Sequence, residues 1–222
     1  HAVATNAVVI DGIPAEDLVE FVVIGMGRYG GQELGYGSDA DVMFVHRARD
    51  GVDEAMASDA ALGVANELRR LLALPSADPP IDMDADLRPE GRNGPLVRSL
   101  ASYAAYYARW SAAWETQALL RARQVAGSPA LQDAFIDLID PLRYPAKGVS
   151  PADLREMRRL KARMEAERLP RGADPALHVK LGRGGLSDVE WVAQLQQLEH
   201  AQEIPELRTT QTLTVLEQSV VL

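Results

Sequence analysis

The chain has 222 residues, 47% hydrophobic and 25% charged, with 32 acidic against 23 basic residues and a formal net charge of −9. This balance argues against a general nucleic-acid binder, which carries a basic surplus, but not against a nucleotide whose phosphates a metal ion neutralises. The absence of cysteine and of any apolar run near ~20 residues excludes disulfides, thiolate metal sites and a membrane partner, and we expect a cytoplasmic protein.

The first half of the chain alternates strand and helix patterns. Residues 19–27 (VEFVVIGMG) are apolar and end in glycines, which predicts a buried strand and a turn, and residues 41–46 (DVMFVH) predict a second buried strand. Apolar residues at helical spacing over 52–74 predict a helix that leads to a third strand. In that strand, residues 81–89 (IDMDADLRP), apolar and acidic residues alternate, which indicates one buried and one acidic face.

The pattern becomes helical after the turn cluster GRNGP. Helices are predicted over residues 100–125, 131–142, 151–169 and 186–201. A boundary near residue 97 is therefore expected between a mixed α/β part and a helical part. The chain opens without Met and ends inside the apolar helical pattern LTVLEQSVVL, so we expect a fragment of a longer protein.

Two carboxylates, Asp39 and Asp41, stand one residue apart at the start of the second predicted strand. Strand side chains alternate, so both point to the same face, where like charges require a cation between them. Mg²⁺ prefers oxygen ligands, and two such ions can activate an attacking oxygen and stabilise a leaving one. Asp84, on the acidic face of the third strand, is the expected third ligand. The alternative is a turn cap at Asp39 and a solvated acidic face formed by Asp82, Asp84 and Asp86.

The glycine-rich stretch GMGRYGG, residues 25–31, lies between the first strand and these aspartates. Glycines let the backbone approach a bulky anion and leave N–H groups for phosphate oxygens, although a tight turn would also explain them. Arg88, at the end of the third strand, is a candidate to meet either a phosphate or a neighbouring Asp. Arg121 and Arg123 fall in the predicted helix over 100–125, where structural pairing is favoured over an active-site role.

Four segments in order carry a resemblance to a known family: GMGRYGGQELGYGSDADVMFV, DADLRPEGRNGPLV, WETQALLRARQVAG and KLGRGGLSDVEWVAQLQQLEHA. The chain resembles the polymerase-β-like nucleotidyltransferases, and among them the bifunctional glutamine synthetase adenylyltransferase/adenylyl-removing enzymes. The resemblance implies an α+β fold, with a nucleotidyltransferase catalytic domain on a small mixed sheet over residues 1–97 and an all-α helical domain over 98–222.

The resemblance also implies roles for individual residues. Asp39 and Asp41 would bind two Mg²⁺ ions, and Asp84 would hold the catalytic one. The residues expected to line the triphosphate of ATP are Gly27, Gly30, Gly31 and Ser38. One departure is Asp86, which stands where the family commonly has Arg.

The activity implied by the resemblance is transfer of AMP from ATP to a tyrosine of glutamine synthetase. The GYGSD form and the segment WETQALLRAR are more similar to the adenylylating half of the family's enzyme. Two alternatives stay open: the half that removes AMP by phosphorolysis, and a non-catalytic module that binds a nitrogen-signalling regulatory protein.

Overall fold

The computed structural model describes residues 1–75, 79–110, 112–174 and 176–220. Its elements up to residue 110 are α1 (Ala2–Ala7), β1 (Val9–Ile10), β2 (Ile13–Pro14), α2 (Ala15–Leu18), β3 (Val19–Gly25), α3 (Gly27–Gly30), β4 (Ala40–Ala48), α4 (Glu54–Leu72), β5 (Met83–Asp84), β6 (Val97–Ser99) and α5 (Leu100–Trp110). The later elements are α6 (Ala113–Leu119), β7 (Arg123–Gly127), α7 (Pro129–Arg143), α8 (Pro151–Arg168), α9 (Leu186–His200) and α10 (Thr212–Ser219). Short 3-10 turns occupy Gly91–Asn93 and Pro205–Leu207.

The main sheet is small and mixed, as predicted. Its order is β5-β4-β3-β7, and β6 pairs with the later part of β4. Strand β3 runs antiparallel to both β4 and β7, whereas β5 and β6 run parallel to β4. A separate two-stranded sheet joins β1 to β2. The parallel β4–β5 pair is the part of this topology that positions the predicted carboxylates.

Over β3 and residues 42–46 of β4 both faces of the sheet are covered, which explains the continuous apolar runs of these strands. On one face, α4 packs against the strands through Ala57, Ala60, Ala61, Val64, Ala65, Leu68, Phe21, Val23, Val42 and Phe44. On the other, Tyr103 of α5 donates a hydrogen bond to the Phe44 carbonyl and meets the ring of Phe135 edge-on at 5.2 Å. The small side chains of α4 allow its backbone to approach the sheet closely.

The predictions for the first two strands, for the helix over 52–74 and for the helices over 131–142, 151–169 and 186–201 are confirmed. The third strand is shorter than predicted, because it ends at Asp84. The Asp84 carboxylate accepts a hydrogen bond from the backbone N–H of Asp86 at 2.7 Å, and this local turn replaces further strand pairing.

The prediction of one helix over residues 100–125 is wrong. Helix α5 ends at Trp110, Ser111 lies outside the described residues, and a new helix starts where the Glu115 carboxylate accepts from the backbone N–H of Ala112 at 2.9 Å. Residues 123–127 then form strand β7, which adds to the free edge of β3. The local pattern favours a helix there, but hydrogen bonds to a distant strand decide the conformation.

Contacts group the described residues into two compact units, those within 1–111 and 121–139 and those within 112–120 and 140–222. The domain boundary at residue 97 stays a prediction. In the second unit the regular elements of the described residues are helices and a 3-10 turn, packed around a cluster that includes Leu120, Met157 and Leu198. No described helix is both long and apolar enough to span a bilayer.

We expect His46 to make the stability of the first unit depend on pH. It lies on β4 with 1% exposure, and burial lowers the pKa of its imidazole, an effect that the charge of Glu54 partly offsets. Its folded pKa therefore lies below the unfolded value of about 6.5, so the unfolded chain binds more protons between the two values and stability is lost as pH falls. We expect His46→Gln to flatten this dependence, measured by urea unfolding at about pH 7.5 and about pH 5.5.

The quantity to compare between wild type and variant is the change in the free energy of unfolding between the two pH values. The absolute free energy is not compared, because the substitution also changes packing. A His46→Gln chain that loses as much free energy of unfolding between the two pH values as the wild type would show that another group carries the dependence.

Candidate active site

The carboxylates of Asp41 and Asp84 are neighbours across two parallel strands. The register pairs Ala40 with Met83 and Asp41 with Asp84, and the Ala40 N–H donates to the Asp82 carbonyl at 2.8 Å. Ala40 and Met83 are buried. Because successive strand side chains alternate, the two paired aspartates project from the opposite, open face. The proximity expected from the sequence is therefore present, and it arises from strand pairing.

Asp39 and Ser38 lie just before β4 on the exposed loop. The Ser38 N–H donates to the Gly35 carbonyl at 3.2 Å, which closes a tight turn ahead of the aspartates. Asp39 lines one cavity together with Asp84. The structure thus brings all three predicted carboxylates to one end of β4, and their roles at a nucleotide stay predictions.

Gly27 starts the turn that faces Asp41. Its φ is +49°, and a Cβ atom there would lie 2.2 Å from Oδ2 of Asp41. The Met26 N–H donates to the Asp41 carbonyl at 2.8 Å, so the end of β3 is fixed to the start of β4 beside this glycine. Only glycine allows both the left-handed backbone and the close approach of the carboxylate.

Gly30 and Gly31 are buried in the same turn. A Cβ atom on Gly30 would lie 1.8 Å from the carbonyl oxygen of Arg121, so packing requires this glycine. The Gly30 N–H donates to Met26 and the Gly31 N–H to Gly27, which occupies both amides within the turn. Contact of these two glycines with a triphosphate stays a prediction. Their backbone N–H groups are already bonded within the turn and are not available to a phosphate oxygen.

Two arginines brace this turn from the other side. Arg121 is 4% exposed, and both of its Nη atoms donate to Oε2 of Glu33 at 3.1 Å. Arg123 lies on β7 and donates to the Gly30 and Tyr29 carbonyls at 2.9 and 3.1 Å. Structural pairing, favoured for both residues from the sequence, is present, but the predicted helix is not: Arg121 precedes β7 and Arg123 begins it.

Arg88 closes the loop that follows Asp84. Its guanidinium donates to the Ala85 carbonyl at 2.8 Å and to the Gly94 carbonyl at 3.0 and 3.1 Å. Asp86 accepts from Nε of Arg92 at 2.5 Å, so its negative charge is paired within the loop. Arg88 therefore stabilises the loop through backbone carbonyls, and its contact with a phosphate stays a prediction.

An open cavity of about 490 Å³ lies beside Asp84. The charged residues that line it are Asp39, Asp82, Asp84, Asp86, Arg69, Arg88 and Arg92. Four carboxylates and three guanidinium groups thus line one space, and two of the three predicted ligands, Asp39 and Asp84, are among them. Such a surface suits a substrate that carries negative charge together with a metal ion.

Comparison with known proteins gives the family. The model of the glutamate-ammonia ligase adenylyltransferase family matches residues 2–137, more than half of the chain. The chain belongs to this family. A second model, described as GlnD PII-uridylyltransferase, matches residues 155–222.

Curated relatives share high identity with the chain. A protein of Streptomyces avermitilis is 64% identical over 95% of the chain and 21% of its own length, and one of Streptomyces coelicolor is 68% identical over 88% of the chain and 20% of its own length. One of Mycobacterium tuberculosis is 56% identical over 96% of the chain and 22% of its own length. All three are named bifunctional glutamine synthetase adenylyltransferase/adenylyl-removing enzyme. The chain spans about a fifth of the length of these relatives.

The carboxylates of this family member fit a magnesium ion in chemistry and number. Asp41 and Asp84 would supply hard oxygen ligands from paired strand positions. Across the described parts of the chain, no three acidic or histidine side chains are grouped closely enough to enclose a metal by themselves. Magnesium needs only one or two carboxylates, because waters and substrate phosphates complete its shell.

Gly27→Ala tests the contact between the glycine turn and Asp41. We expect the added methyl group to displace the Asp41 carboxylate and to weaken by about tenfold or more the binding of ATP with Mg²⁺, the ligands that the sequence resemblance implies, since metal ligation would be lost. Titration calorimetry with ATP and Mg²⁺ measures this. Gly51→Ala is the matched control, because Gly51 also has positive φ (+78°) but nothing within 4 Å of its Cβ position.

Both variants carry the backbone cost of a left-handed alanine, about 1–2 kcal/mol. Equal losses of ATP binding in the two variants would mean that backbone strain, and not the Asp41 contact, explains the effect.

Glu33→Ala tests the brace on the glycine turn. Removal of the carboxylate leaves the Arg121 guanidinium, 4% exposed, without this partner, and we expect a loss of about 2 kcal/mol in the free energy of unfolding. Urea denaturation measures the change. The matched control is Glu67→Ala, which breaks a surface pair with Arg70 and should leave stability nearly unchanged. Similar effects of the two substitutions would contradict a structural role for the Glu33–Arg121 pair.

Proposed function

We propose that this chain, as part of a longer enzyme, transfers AMP from ATP to a tyrosine of glutamine synthetase. The observation that carries the proposal is the pairing of Asp41 with Asp84 on the open face of the sheet, with Asp39 two residues before Asp41. The names of the relatives support the substrate, and the match to the adenylyltransferase family supports the reaction.

In the proposed reaction the tyrosine oxygen of glutamine synthetase attacks the α-phosphorus of ATP. A bond forms between that oxygen and phosphorus, the bond to the β-phosphate bridge breaks, and pyrophosphate leaves. Bound Mg²⁺ would neutralise phosphate charge and stabilise the leaving oxygen. Asp39 and Asp41 would hold the metal ions, and Asp84 would hold the catalytic ion beside the incoming tyrosine oxygen.

The phenol must lose its proton during the attack, because its ordinary pKa is about 10. The Asp84 carboxylate lies on the open face and can accept that proton directly or through water. No protein nucleophile is needed, since the acceptor oxygen belongs to the substrate. Gly27 keeps the Asp41 carboxylate close to the glycine turn.

The reverse activity is the second candidate, because the relatives' name includes an adenylyl-removing enzyme. Phosphate would attack the phosphorus of tyrosine-linked AMP, which yields ADP and frees the tyrosine. The same carboxylates would serve, since both reactions substitute at the same phosphorus.

A regulatory partner is a further part of the proposal. The match of residues 155–222 to a PII-uridylyltransferase model supports contact of the longer enzyme with a nitrogen-signalling protein. This partner would act on the segment that includes α8, α9 and α10.

The test is incubation of the chain with labelled ATP, Mg²⁺ and unmodified glutamine synthetase. We expect label on a tyrosine, and a fall of about 100-fold or more in the combined Asp39→Asn/Asp41→Asn variant, because metal ligation is lost. Asp50→Asn, at an exposed carboxylate just after β4, is the matched control and should keep full activity. Circular dichroism establishes that each variant is folded.

Two other outcomes overturn the forward reaction. Release of ADP from adenylylated synthetase and phosphate, without any forward transfer, would assign the chain to the removing half. A folded chain that is silent in both assays and binds no ATP would instead support the non-catalytic module.

A further inference from the structure

Three arginines line the cavity beside Asp84, and they differ in what they contact. They are Arg69 on α4, and Arg88 and Arg92 on the loop between β5 and β6. A bound nucleotide needs cationic groups here, because the carboxylates of the cavity repel its phosphates. The arginine that can contact a phosphate is the one whose guanidinium donors are not already bonded to the protein.

Arg88 has its donors occupied by the protein. Its side chain is 12% exposed and donates to the carbonyls of Ala85, Gly94 and Arg92, which together close the loop. To reach a phosphate, the guanidinium would have to give up these bonds, and the carbonyl of buried Gly94 would lose both of the hydrogen bonds that Arg88 donates to it, which is costly.

Arg92 is committed to a carboxylate. Its Nε donates to Oδ2 of Asp86 at 2.5 Å, and hydrogen bonding to Asp86 raises the pKa of the Arg92 guanidinium. The pair neutralises the charge of Asp86 on the rim of the cavity. Arg92 therefore offers less net positive charge to a substrate than an unpaired arginine would.

Arg69 differs from both. It lies in the last turn of α4, one residue after buried Leu68, and its side chain is exposed toward solvent while it lines the cavity. Within the described residues its guanidinium has no hydrogen bond and no ion pair. The helix fixes the backbone of Arg69, and the five N–H donors of its side chain stay available.

We infer that Arg69 binds a phosphate group of ATP in this cavity and is a substrate-contacting residue of the proposed transfer. The inference rests on the proposed function, since it takes ATP as the ligand. A guanidinium matches the geometry of phosphate oxygens and forms charge-assisted hydrogen bonds with them. Arg69 fills the role that the sequence suggested for Arg88, because the loop occupies Arg88.

The test measures binding of ATP with Mg²⁺, and of adenosine, to the wild-type chain and to Arg69→Ala, Arg69→Lys and Arg70→Ala. We expect Arg69→Ala to weaken ATP binding by about tenfold or more and to leave adenosine binding unchanged, because adenosine has no phosphate. Arg69→Lys should restore part of the affinity, since it keeps the charge without the planar fork.

Arg70→Ala is the matched control. Arg70 is the next residue on the same turn, is equally basic and exposed, and pairs with Glu67 rather than lining the cavity. Its ATP affinity should equal that of the wild type, and thermal unfolding of both alanine variants should be alike.

Each remaining outcome overturns the inference in a recognisable way. Unchanged ATP affinity in Arg69→Ala, in a chain that binds ATP, removes the role of Arg69 and leaves the proposed transfer standing. Equal weakening of ATP and adenosine would give Arg69 a structural role. A wild-type chain that binds no ATP overturns the proposed function together with this inference.

Discussion

The parallel pairing of β4 with β5 is the interaction on which the candidate site depends. It is only two residues long, yet it sets Asp41 beside Asp84 and buries Ala40 and Met83 on the opposite face. Burial of this apolar pair fixes the register, because a shift of β5 by one residue would turn Asp84 into the core and Met83 out of it. Hydrophobic packing of one face thus holds two like charges together on the other.

The glycine turn is the second component, and it is stabilised by residues far along the chain. Arg123 reaches the carbonyls of Tyr29 and Gly30, and the buried Arg121 pairs with Glu33. A strand added at the edge of β3 therefore supports the backbone that approaches Asp41. This support adds to the packing of Tyr29 against the core of the first unit.

The arginines around the cavity differ in role: two stabilise the protein, and one is proposed to bind the substrate. Arg88 and Arg92 both stabilise the loop that follows Asp84. Arg88 donates to backbone carbonyls, and Arg92 pairs with the Asp86 carboxylate. That arrangement keeps a carboxylate-rich loop folded next to the predicted metal ligands without an external cation. Arg69, projecting from a helix that is anchored by its apolar face, is the group left to meet a phosphate.

The sequence by itself determined the family, the strands β3 and β4, the helix α4 and the spacing of Asp39, Asp41 and Asp84, because apolar periodicity and short motifs are local properties. It gave the wrong conformation for residues 123–127, since the hydrogen bonds that make them a strand come from β3. The sequence indicated Arg88 as a candidate for contact with a phosphate, but hydrogen bonds to the loop occupy its donors. It did not indicate Arg69, because in the sequence Arg69 is indistinguishable from other surface residues of an amphipathic helix. Only the tertiary structure decided which arginines are paired and which is available, because that depends on partners distant in sequence.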